Sequence, residues 1–370
     1  MTRETQPLVS ILVPAFNTEA TLAQTLQSAL ASSYPNLELV LVDDGSTDAT
    51  TAIAQAIARE QKRVRVFRQR HRGVSAALNF GLAQCRGEFV ARLDADDLWH
   101  PSKLAKQVKL LAANPSVALA CTDVRYVDAG GCLVRDAAPQ TMAGKALCQC
   151  LYYGIVGGGS SALMRRSTLE TVGGYDEDLD VWEDLLLHLK VARLGEIAFI
   201  PEYLTGYRLR RDSSSANLER SLTSWRLAKR RIETEIPGIP GYVHRWSHAR
   251  RLLELAEGFA WERRCGTGAK LLAESLVSDP TRTTEFLAYR LRRRLSANRR
   301  SPQGEFLPFA EADVTRTFAL SNFDARPEGK RLHALDRSRD LLLQAIDRAL
   351  TPVPQPTGGE ERSPLAAFVP

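Results

Sequence analysis

Residues 9–121 alternate between short apolar runs and segments whose apolar residues recur at helical spacing. Each run has the length of a strand, and most contain β-branched or aromatic residues. Repeated strand–helix units with apolar strands predict an α/β fold built on a doubly wound, mostly parallel sheet. The predicted strands are Val9–Val13, Leu39–Val42, Val64–Phe67, Phe89–Leu93 and Val117–Cys121.

The pattern loosens after residue 124. The segment Asp128–Gly131 predicts the turn of a hairpin over Arg125–Arg135, and the glycine-rich Gly157–Ser161 predicts a loop. Three further elements are expected, a helix over Asp184–Leu194 and strands over Ala162–Met164 and Ile197–Ile200.

Helical signals without strands dominate from Ser221 to Ala297, with predicted breaks at Pro237–Gly241 and Gly266–Gly268. A last helix fits Arg331–Leu350, and the five prolines of Thr351–Pro370 predict a flexible tail. We therefore expect three parts: an α/β domain over residues 1–215, a helical extension over 216–350, and the tail over 351–370.

Composition narrows the class of protein. Hydrophobic residues make up 44% of the chain and charged residues 25%, as in ordinary globular proteins. No apolar run approaches the roughly 20 residues that a bilayer span needs. The polar first residues lack the features of a secretory signal, and the six cysteines contain no CxxC pair. We expect a cytoplasmic protein with reduced thiols.

The net charge of +6 is concentrated in one stretch. Between Arg245 and Arg300, 13 Lys and Arg residues face six acidic ones, which suits an anionic partner. Leu287, Leu291 and Leu295 share one helical face with arginines around it. This pattern fits an interfacial helix on the inner face of an anionic membrane, and it fits a core-packing helix with solvated arginines just as well.

Two aspartate clusters directly follow predicted strands. Asp43 and Asp44 follow the second strand, and Asp94, Asp96 and Asp97 follow the fourth. Ligands of open α/β sheets bind at the C-terminal ends of the strands, so we expect these side chains in one crevice. Carboxylates gathered there repel each other unless a cation joins them, and Mg²⁺ or Mn²⁺ prefers such oxygen ligands. The sequence predicts a divalent metal that serves a phosphorylated ligand.

Six short blocks follow one another along the chain, namely Val9–Asn17, Val42–Asp48, Gly87–Val90, Leu93–Asp97, Gly173–Glu177 and Trp182–Asp184. In sequence and order they resemble the signature blocks of the inverting family 2 glycosyltransferases, and the resemblance covers roughly Val9 to Arg211. It implies the GT-A fold and transfer of a sugar from a nucleotide-diphosphate donor, with UDP-sugar favoured. The implied acceptor is a glycan or a lipid-linked molecule in cell-surface polysaccharide synthesis, and no nucleic acid partner is expected.

The resemblance, read with the chemistry of the side chains, assigns roles to individual residues. Asp44 is expected to accept a hydrogen bond from a uracil ring, Asp94 to bind ribose or sugar, and Asp96 to ligate the metal. Asp184 is the favoured general base, with Glu183 as the runner-up. The expected nucleotide-sugar site comprises Pro14, Ala15, Phe16, Asn17, Asp43, Asp44, Asp94 and Ala95.

Three residues are weaker candidates for contacts with the acceptor or the diphosphate. Gly158 and Gly159 leave a backbone open to close approach of a substrate, although a simple connection explains them equally well. Arg208 could bind the diphosphate from a closing loop, and a solvated basic turn is an equal alternative.

Three other functions fit the sequence less well. A sugar-nucleotide nucleotidyltransferase would need a Gly-rich, basic phosphate loop after the first strand, where this chain has Pro14–Asn17. A non-catalytic binding protein that kept the GT-A fold would be favoured by a missing carboxylate, and none is missing. A Rossmann dehydrogenase is disfavoured because no GxGxxG follows the first strand. The glycosyltransferase is therefore the favoured function.

Overall fold

The strands expected from the apolar runs form one central sheet. The computed structural model describes residues 6–138, 140, 142–210, 217–295 and 339–350, with the backbone alone at 289–295. The strands are β1 (Val9–Ala15), β2 (Leu37–Asp43), β3 (Val64–Arg68), β4 (Phe89–Arg92), β5 (Leu98–Trp99), β6 (Val117–Val127), β7 (Leu133–Asp136), β8 (Leu163–Arg165) and β9 (Glu196–Arg208). The helices are α1 (Leu22–Leu30), α2 (Thr50–Glu60), α3 (Val74–Gln84), α4 (Lys103–Ala113), α5 (Leu147–Tyr153), α6 (Gly158–Ser161), α7 (Arg166–Thr171), α8 (Glu183–Leu194), α9 (Leu218–Glu235), α10 (Gly241–Trp261), α11 (Cys265–Ser278), α12 (Pro280–Leu295) and α13 (residues 339–349).

The sheet has the order β3-β2-β1-β4-β8-β6-β9-β5, with β7 paired to β6. Strands β3, β2, β1 and β4 are parallel neighbours, and β6 and β9 form a second parallel pair. Strand β8 lies antiparallel between β4 and β6 and joins the two groups. Strands β5 and β7 are also antiparallel to their partners. The predicted mostly parallel sheet is confirmed, and β7 pairs antiparallel with β6 as the expected hairpin requires. The sequence pattern did not indicate the antiparallel direction of β5 and β8.

Neighbouring strand residues point to opposite faces of the sheet, and helices cover both faces. In β1, Ile11 and Val13 pack in the hydrophobic cluster of α1, α2 and α4. Leu12 between them packs in the other cluster, with α3, α5 and α8. The result is a helix–sheet–helix sandwich whose strand ends converge at one edge.

Helix α9 attaches the helical extension to this core. Trp225, Ala228 and Ile232 are buried in the cluster that also contains α8. Leu222, one turn earlier, belongs to a separate cluster with α10 and α11. The extension therefore shares a core with the sheet and has a small core of its own. The domain boundary expected near residue 215 lies in 211–216, outside the described residues, and stays a prediction.

Three expectations of local structure were wrong. Gly158–Ser161, expected in a loop, forms the single helical turn α6, preceded by Gly157 at φ +70°. The break expected at Gly266–Gly268 lies earlier, where Arg263 adopts φ +60°, and those glycines belong to α11. Strand β9 continues to Arg208 because it pairs with β6 along most of its length.

Parts of two expectations lie outside the described residues, namely 331–338 of the last helix and the whole tail 351–370. Among the residues that the structure describes, no helix combines the length and apolar character that crossing a bilayer requires.

Helix α5 receives its N-terminal cap from a distant part of the chain. Its own N-cap residue is Ala146, which has no side-chain acceptor for the free backbone N–H groups. Asp347 of α13 accepts hydrogen bonds from Cys148 N at 2.6 Å and Gln149 N at 3.1 Å, and it is 1% exposed. Asp340 of the same helix accepts from Gln149 Nε2 at 2.6 Å. This contact fastens α13 to the α/β body.

Replacing Asp347 should loosen that attachment. Asp347→Ala should lower the free energy of unfolding by about 1–3 kcal/mol, since it removes a cap and leaves two buried N–H groups without acceptors. Urea unfolding measures the change. Glu233→Ala, which removes an exposed i,i+4 pair with Lys229, is the control and should cost less than about 0.5 kcal/mol. Equal losses in the two variants would contradict the capping role.

Candidate active site

The predicted acidic segments meet at the C-terminal edge of the sheet. Ala15, the last residue of β1, pairs with Asp43 of β2, and Leu12 pairs with Arg92 of β4. The carbonyl of Ala95 accepts hydrogen bonds from the Thr21 and Thr25 hydroxyls at 3.0 and 3.1 Å, which fixes the segment after β4 against α1. Pro14–Asn17, Asp43–Asp44 and Asp94–Asp97 therefore lie side by side.

Asp43 holds the turn that follows β2. Its carboxylate accepts from Ser46 N at 2.9 Å and from the Thr51 hydroxyl, and it lies 3.3 Å from Arg68 Nε. The residue is fully buried. Asp43 therefore shapes the proposed nucleotide site from beneath rather than facing a ligand.

Asp44 uses its carboxylate to organise the loop after β3. Oδ1 accepts from Gln69 Nε2 at 2.7 Å and Arg72 N at 2.9 Å. Oδ2 accepts from Gly73 N at 2.8 Å and lies 2.8 Å from His71 Nδ1. Four donors match the four lone-pair sites of a carboxylate. A base that binds Asp44 must displace one of them, and His71, with 53% of its side chain exposed, is the donor that can leave.

Phe16 is presented beside this carboxylate. Its ring stacks on His71 with centroids 4.0 Å apart at 18°, and the residue is 42% exposed. The next residue, Asn17, adopts φ +50°, a left-handed conformation that asparagine tolerates. Asn17 Oδ1 accepts from Thr47 N at 2.9 Å, so Phe16 is held against the turn after β2. The Phe16 ring therefore lies near Asp44, and His71 contacts both the ring and the carboxylate.

Arg92 is the residue that the sequence interpretation missed. Its Nε donates to Asp94 Oδ1 at 2.7 Å and its Nη1 to Glu183 Oε1 at 2.8 Å, and it is only 6% exposed. Burial alone would lower the pKa of Arg92, but the two carboxylates raise it well above its usual value. The available signal was a charged residue inside an otherwise apolar strand run.

Glycine is required where α6 passes this arginine. A Cβ at Gly159 would lie 2.1 Å from Arg92 Cδ, and one at Gly158 would lie 1.9 Å from Asp184 Oδ2. Ser160 Oγ in the same turn accepts from Asp94 N at 3.0 Å. The glycines therefore let α6 pack directly between the two carboxylate-bearing segments.

The carboxylates after β4 crowd one another. Burial, followed by repulsion from Asp94, raises the pKa of Asp96 to about 6, although Arg210 Nη1 lies 3.6 Å from Asp96 Oδ2. Burial, followed by repulsion from Asp96 and Asp94, raises the pKa of Asp97 well above its usual value. Asp97 Oδ1 accepts from Arg208 N at 3.0 Å, while Oδ2 has no hydrogen-bond partner among the described residues.

Arg208 has a structural role in place of the predicted contact with a diphosphate. The residue is 1% exposed, and its guanidinium donates to Asp96 O at 2.6 Å, Asp128 O at 3.1 Å and Gln24 Oε1 at 2.7 Å. Those bonds tie the segment after β4 to the β6–β7 turn and to α1. Arg210, two residues later and partly exposed, is the arginine that faces Asp96.

The two acids at the start of α8 differ in environment. Glu183 is buried, and this burial raises its pKa to about 7 despite the pairing with Arg92, because Asp184 and Asp94 also repel its charge. Asp184 is half-buried, and its Oδ1 accepts from Leu185 N at 2.7 Å. Trp182, in a left-handed conformation, precedes both acids and starts the helix at this position. Asp184 is thus the more accessible carboxylate.

The oxygen-rich cluster fits part of a divalent-metal site. No group of three or more His, Cys, Asp or Glu side chains in the described ranges is arranged as a complete metal cage. Burial and mutual repulsion nevertheless raise the pKa values of Asp96 and Asp97, and Asp97 Oδ2 has no hydrogen-bond partner among the described residues, so a cation would be stabilised here. Mg²⁺ and Mn²⁺ commonly take only one or two protein carboxylates, and phosphates and water complete the shell.

Comparison with known proteins assigns the family. The sequence model described as "Glycosyl transferase family 2" matches residues 10–173. The protein named "Putative glycosyltransferase EpsE" from Bacillus subtilis (strain 168) is 32% identical over 241 residues, covering 59% of this chain and 77% of the relative. The chain belongs to glycosyltransferase family 2. An uncharacterized glycosyltransferase from Haemophilus influenzae is 28% identical over 240 residues, covering 62% of this glycosyltransferase and 74% of the relative.

Solved structures confirm the predicted GT-A fold. S. aureus TarS 1–349 in complex with UDP-GlcNAc aligns with a TM-score of 0.56 and 20% identity, covering 74% of this chain and 82% of that one. The mannosyltransferase PcManGT from Pyrobaculum calidifontis, in complex with GDP-Man and Mn²⁺, aligns with a TM-score of 0.54 and 22% identity, covering 79% and 81%. At these identities the likeness establishes the fold of this glycosyltransferase.

The raised pKa of Glu183 predicts a specific pH dependence of stability. An ordinary glutamate titrates near 4.5, so the folded state holds this proton more tightly than the unfolded chain. Below about pH 4.5 Glu183 is protonated in both states. Between about pH 4.5 and 7 the unfolded chain releases the proton that the folded state still holds, so the free energy of unfolding falls across this window. Glu183→Gln cannot ionise, so its free energy of unfolding relative to wild type should increase across that window.

Urea unfolding at several pH values measures this difference. Glu60→Gln, at an exposed position at the end of α2, is the control and should follow the wild-type profile. Parallel profiles for Glu183→Gln and wild type would show that Glu183 is ionised without penalty.

Proposed function

We propose that the chain is a metal-dependent, inverting glycosyltransferase that moves a hexose or N-acetylhexosamine from a UDP-sugar to a glycan or lipid-linked acceptor in cell-surface polysaccharide synthesis. The observation that carries this proposal is the bridge from Asp94 through Arg92 to Glu183. Through the single side chain of Arg92, this bridge joins the acids after β4 to the start of α8, where Asp184 lies. The UDP-GlcNAc complex of TarS and the GDP-Man and Mn²⁺ complex of PcManGT support the donor class and the metal.

The nucleobase of the donor binds at Phe16 and Asp44. Phe16 offers an exposed ring face, and Asp44 offers a carboxylate that accepts the N–H of a uracil ring. His71 yields its place on Asp44 when the base enters. Pro14–Asn17, which lies on the turn after β2, lines the same side.

The diphosphate binds between Asp96 and Arg210. Arg210 donates to phosphate oxygens, and Asp96 with Asp94 supplies the carboxylates for a metal. Mg²⁺ or Mn²⁺, when bound, neutralises the charge that develops on the leaving nucleotide. Arg208 and Ser160 keep the segment after β4 in place for this contact.

Asp184 acts as the general base. The acceptor hydroxyl attacks the anomeric carbon from the face opposite the nucleotide, the new glycosidic bond forms as the bond to the diphosphate breaks, and the hydroxyl proton passes to Asp184. One displacement of this kind inverts the anomeric configuration. Glu183 stays in its buried ion pair with Arg92 and fixes the position of Asp184 rather than taking the proton.

The alternatives are less well supported. A nucleotidyltransferase would place backbone N–H groups and basic residues around phosphates after β1, where this chain presents Phe16 and tucks Asn17 against the next turn. A binding protein without catalysis would not need Asp184 beside the Gly158 backbone. The chemistry of both sides of the cleft favours sugar transfer.

Peripheral contact with an anionic membrane is part of the proposal for the basic helices. Several of their arginines pair within the extension, as Arg250 and Arg251 do with Glu254. Leu287 on α12 is 42% exposed, while the side chains of 289–295 are outside the described set. The exposed apolar residue among cationic helices supports contact with headgroups near a lipid-linked acceptor.

A thermal-shift screen tests the donor and metal assignments together. UDP-sugars with MnCl2 should raise the midpoint of unfolding more than GDP- or dTDP-sugars, because ligands that bind only the folded state stabilise it. Asp96→Ala should lose the Mn²⁺-dependent part of the shift and at least about 100-fold in turnover. Asp178→Ala, at an exposed pair with Arg231, is the matched control. Undiminished turnover in Asp96→Ala would remove the metal assignment.

Asp184→Asn tests the base. The variant should bind UDP as wild type does, because Asp184 lies across the cleft from the nucleotide residues. Its transfer rate should fall by about 100- to 10,000-fold, the usual contribution of a general base. Isothermal titration and product analysis measure the two quantities. A rate within about threefold of wild type would move the proton-accepting role to another group.

A further inference from the structure

Two tyrosines mark a surface at the C-terminal end of β6 and β9. Tyr126 and Tyr207 are register partners, and their rings meet edge to face with centroids 5.8 Å apart. The guanidinium of Arg135 on β7 lies 4.0 Å from the centre of the Tyr126 ring. Leu209, two residues after Tyr207, is 42% exposed. We call these four residues the tyrosine platform.

The platform is not part of the core. Both tyrosines are half-buried and Arg135 is exposed, and none of the four residues belongs to a buried hydrophobic cluster. Among the described residues Arg135 has no carboxylate partner; its contact is the ring of Tyr126. Arginine stacked on an aromatic ring keeps its N–H edge available for a carboxylate or phosphate.

The platform lies near Asp184, the proposed general base. Val124 lies two residues before Tyr126 on the same face of β6, about 7 Å along the strand. A Cβ on Gly157 would lie 2.7 Å from Val124 Cγ2, so the turn into α6 sits on that residue. Gly158, the next residue, faces Asp184. Val124 and Gly157 pack against each other and so connect the strand that carries Tyr126 to the turn in which Gly158 contacts Asp184.

The platform also lies away from the nucleotide side. Phe16 and Asp44 follow β1 and β2, whereas the tyrosines are on β6 and β9, with β4 and β8 between the two pairs of strands. The segment Asp94–Asp97 after β4 occupies the middle of the edge. A ligand on the platform would thus approach the anomeric carbon from the side of Asp184, opposite the nucleobase.

We propose that the tyrosine platform is the subsite for an acidic acceptor glycan. This inference rests on the proposed transferase function. The rings of Tyr126 and Tyr207 and the side chain of Leu209 pack against the C–H face of a sugar, and the tyrosine hydroxyls bond to its hydroxyls. Arg135 binds a carboxylate or phosphate on that sugar or its neighbour through its planar fork. The acceptor is then an anionic saccharide.

Saturation-transfer NMR tests the subsite with defined probes. Wild type saturated with UDP and MgCl2, a diamagnetic metal salt, is titrated with methyl β-D-glucuronide, glucose 6-phosphate and the neutral methyl β-D-glucoside. At least one anionic probe should bind about fivefold more tightly than the neutral one, and the stronger of the two identifies carboxylate or phosphate as the recognised group. Arg135→Gln should abolish this preference, and Tyr126→Ala should weaken all three probes.

Controls separate this inference from the transferase assignment. Tyr242→Ala on α10 and Arg59→Gln on α2 should bind the probes as wild type does. UDP affinity should stay within about twofold in both platform variants, because the platform lies outside the donor site. Two results, each with normal UDP binding, would overturn the subsite alone. One is that wild type binds none of the probes; the other is that Arg135→Gln and Tyr126→Ala bind them as wild type does. Failure of wild type to bind UDP would overturn the transferase proposal, and the subsite with it.

Discussion

The ion-pair bridge at Arg92 is the contact on which the arrangement of the site depends. A guanidinium buried in the central strand β4 is stable only because carboxylates on both sides compensate the loss of hydration. One of them follows β4 and the other begins α8, so the same contact that satisfies the charge also fixes the distance between the two halves of the cleft. Removing either acid would leave the buried guanidinium with one of its two carboxylate partners.

The packing around the bridge explains several sequence features that look unrelated. Gly158 and Gly159 are required because Arg92 and Asp184 occupy the space that a Cβ would take. Ser160 supplies the hydroxyl that receives the backbone N–H of Asp94. A segment that reads as a flexible glycine-rich loop is therefore a short, closely packed helical turn. Close packing and polar contacts, rather than helix propensity, account for its helical conformation.

The carboxylates of the site fall into two groups by environment. Asp43 and Asp44 have their acceptor positions filled by nearby backbone and side-chain donors. Asp96 and Asp97 have fewer donors, and burial with mutual repulsion raises their pKa values. The first group shapes loops, and the second is poised to accept positive charge from a ligand. In the proposed reaction Asp44 exchanges His71 for the nucleobase, while Asp43 keeps its partners.

The sequence by itself determined the parallel strands, the order of the acidic segments and the family, because apolar periodicity and short motifs are local properties. Strand ends in a parallel sheet meet at one edge, so Asp44 and Asp96 could be brought together without coordinates. The role of Arg208, the cap that Asp347 gives to α5 and the bridge at Arg92 could not be read this way. Each joins residues more than 90 positions apart, and only tertiary packing decides which distant donor meets which buried acceptor.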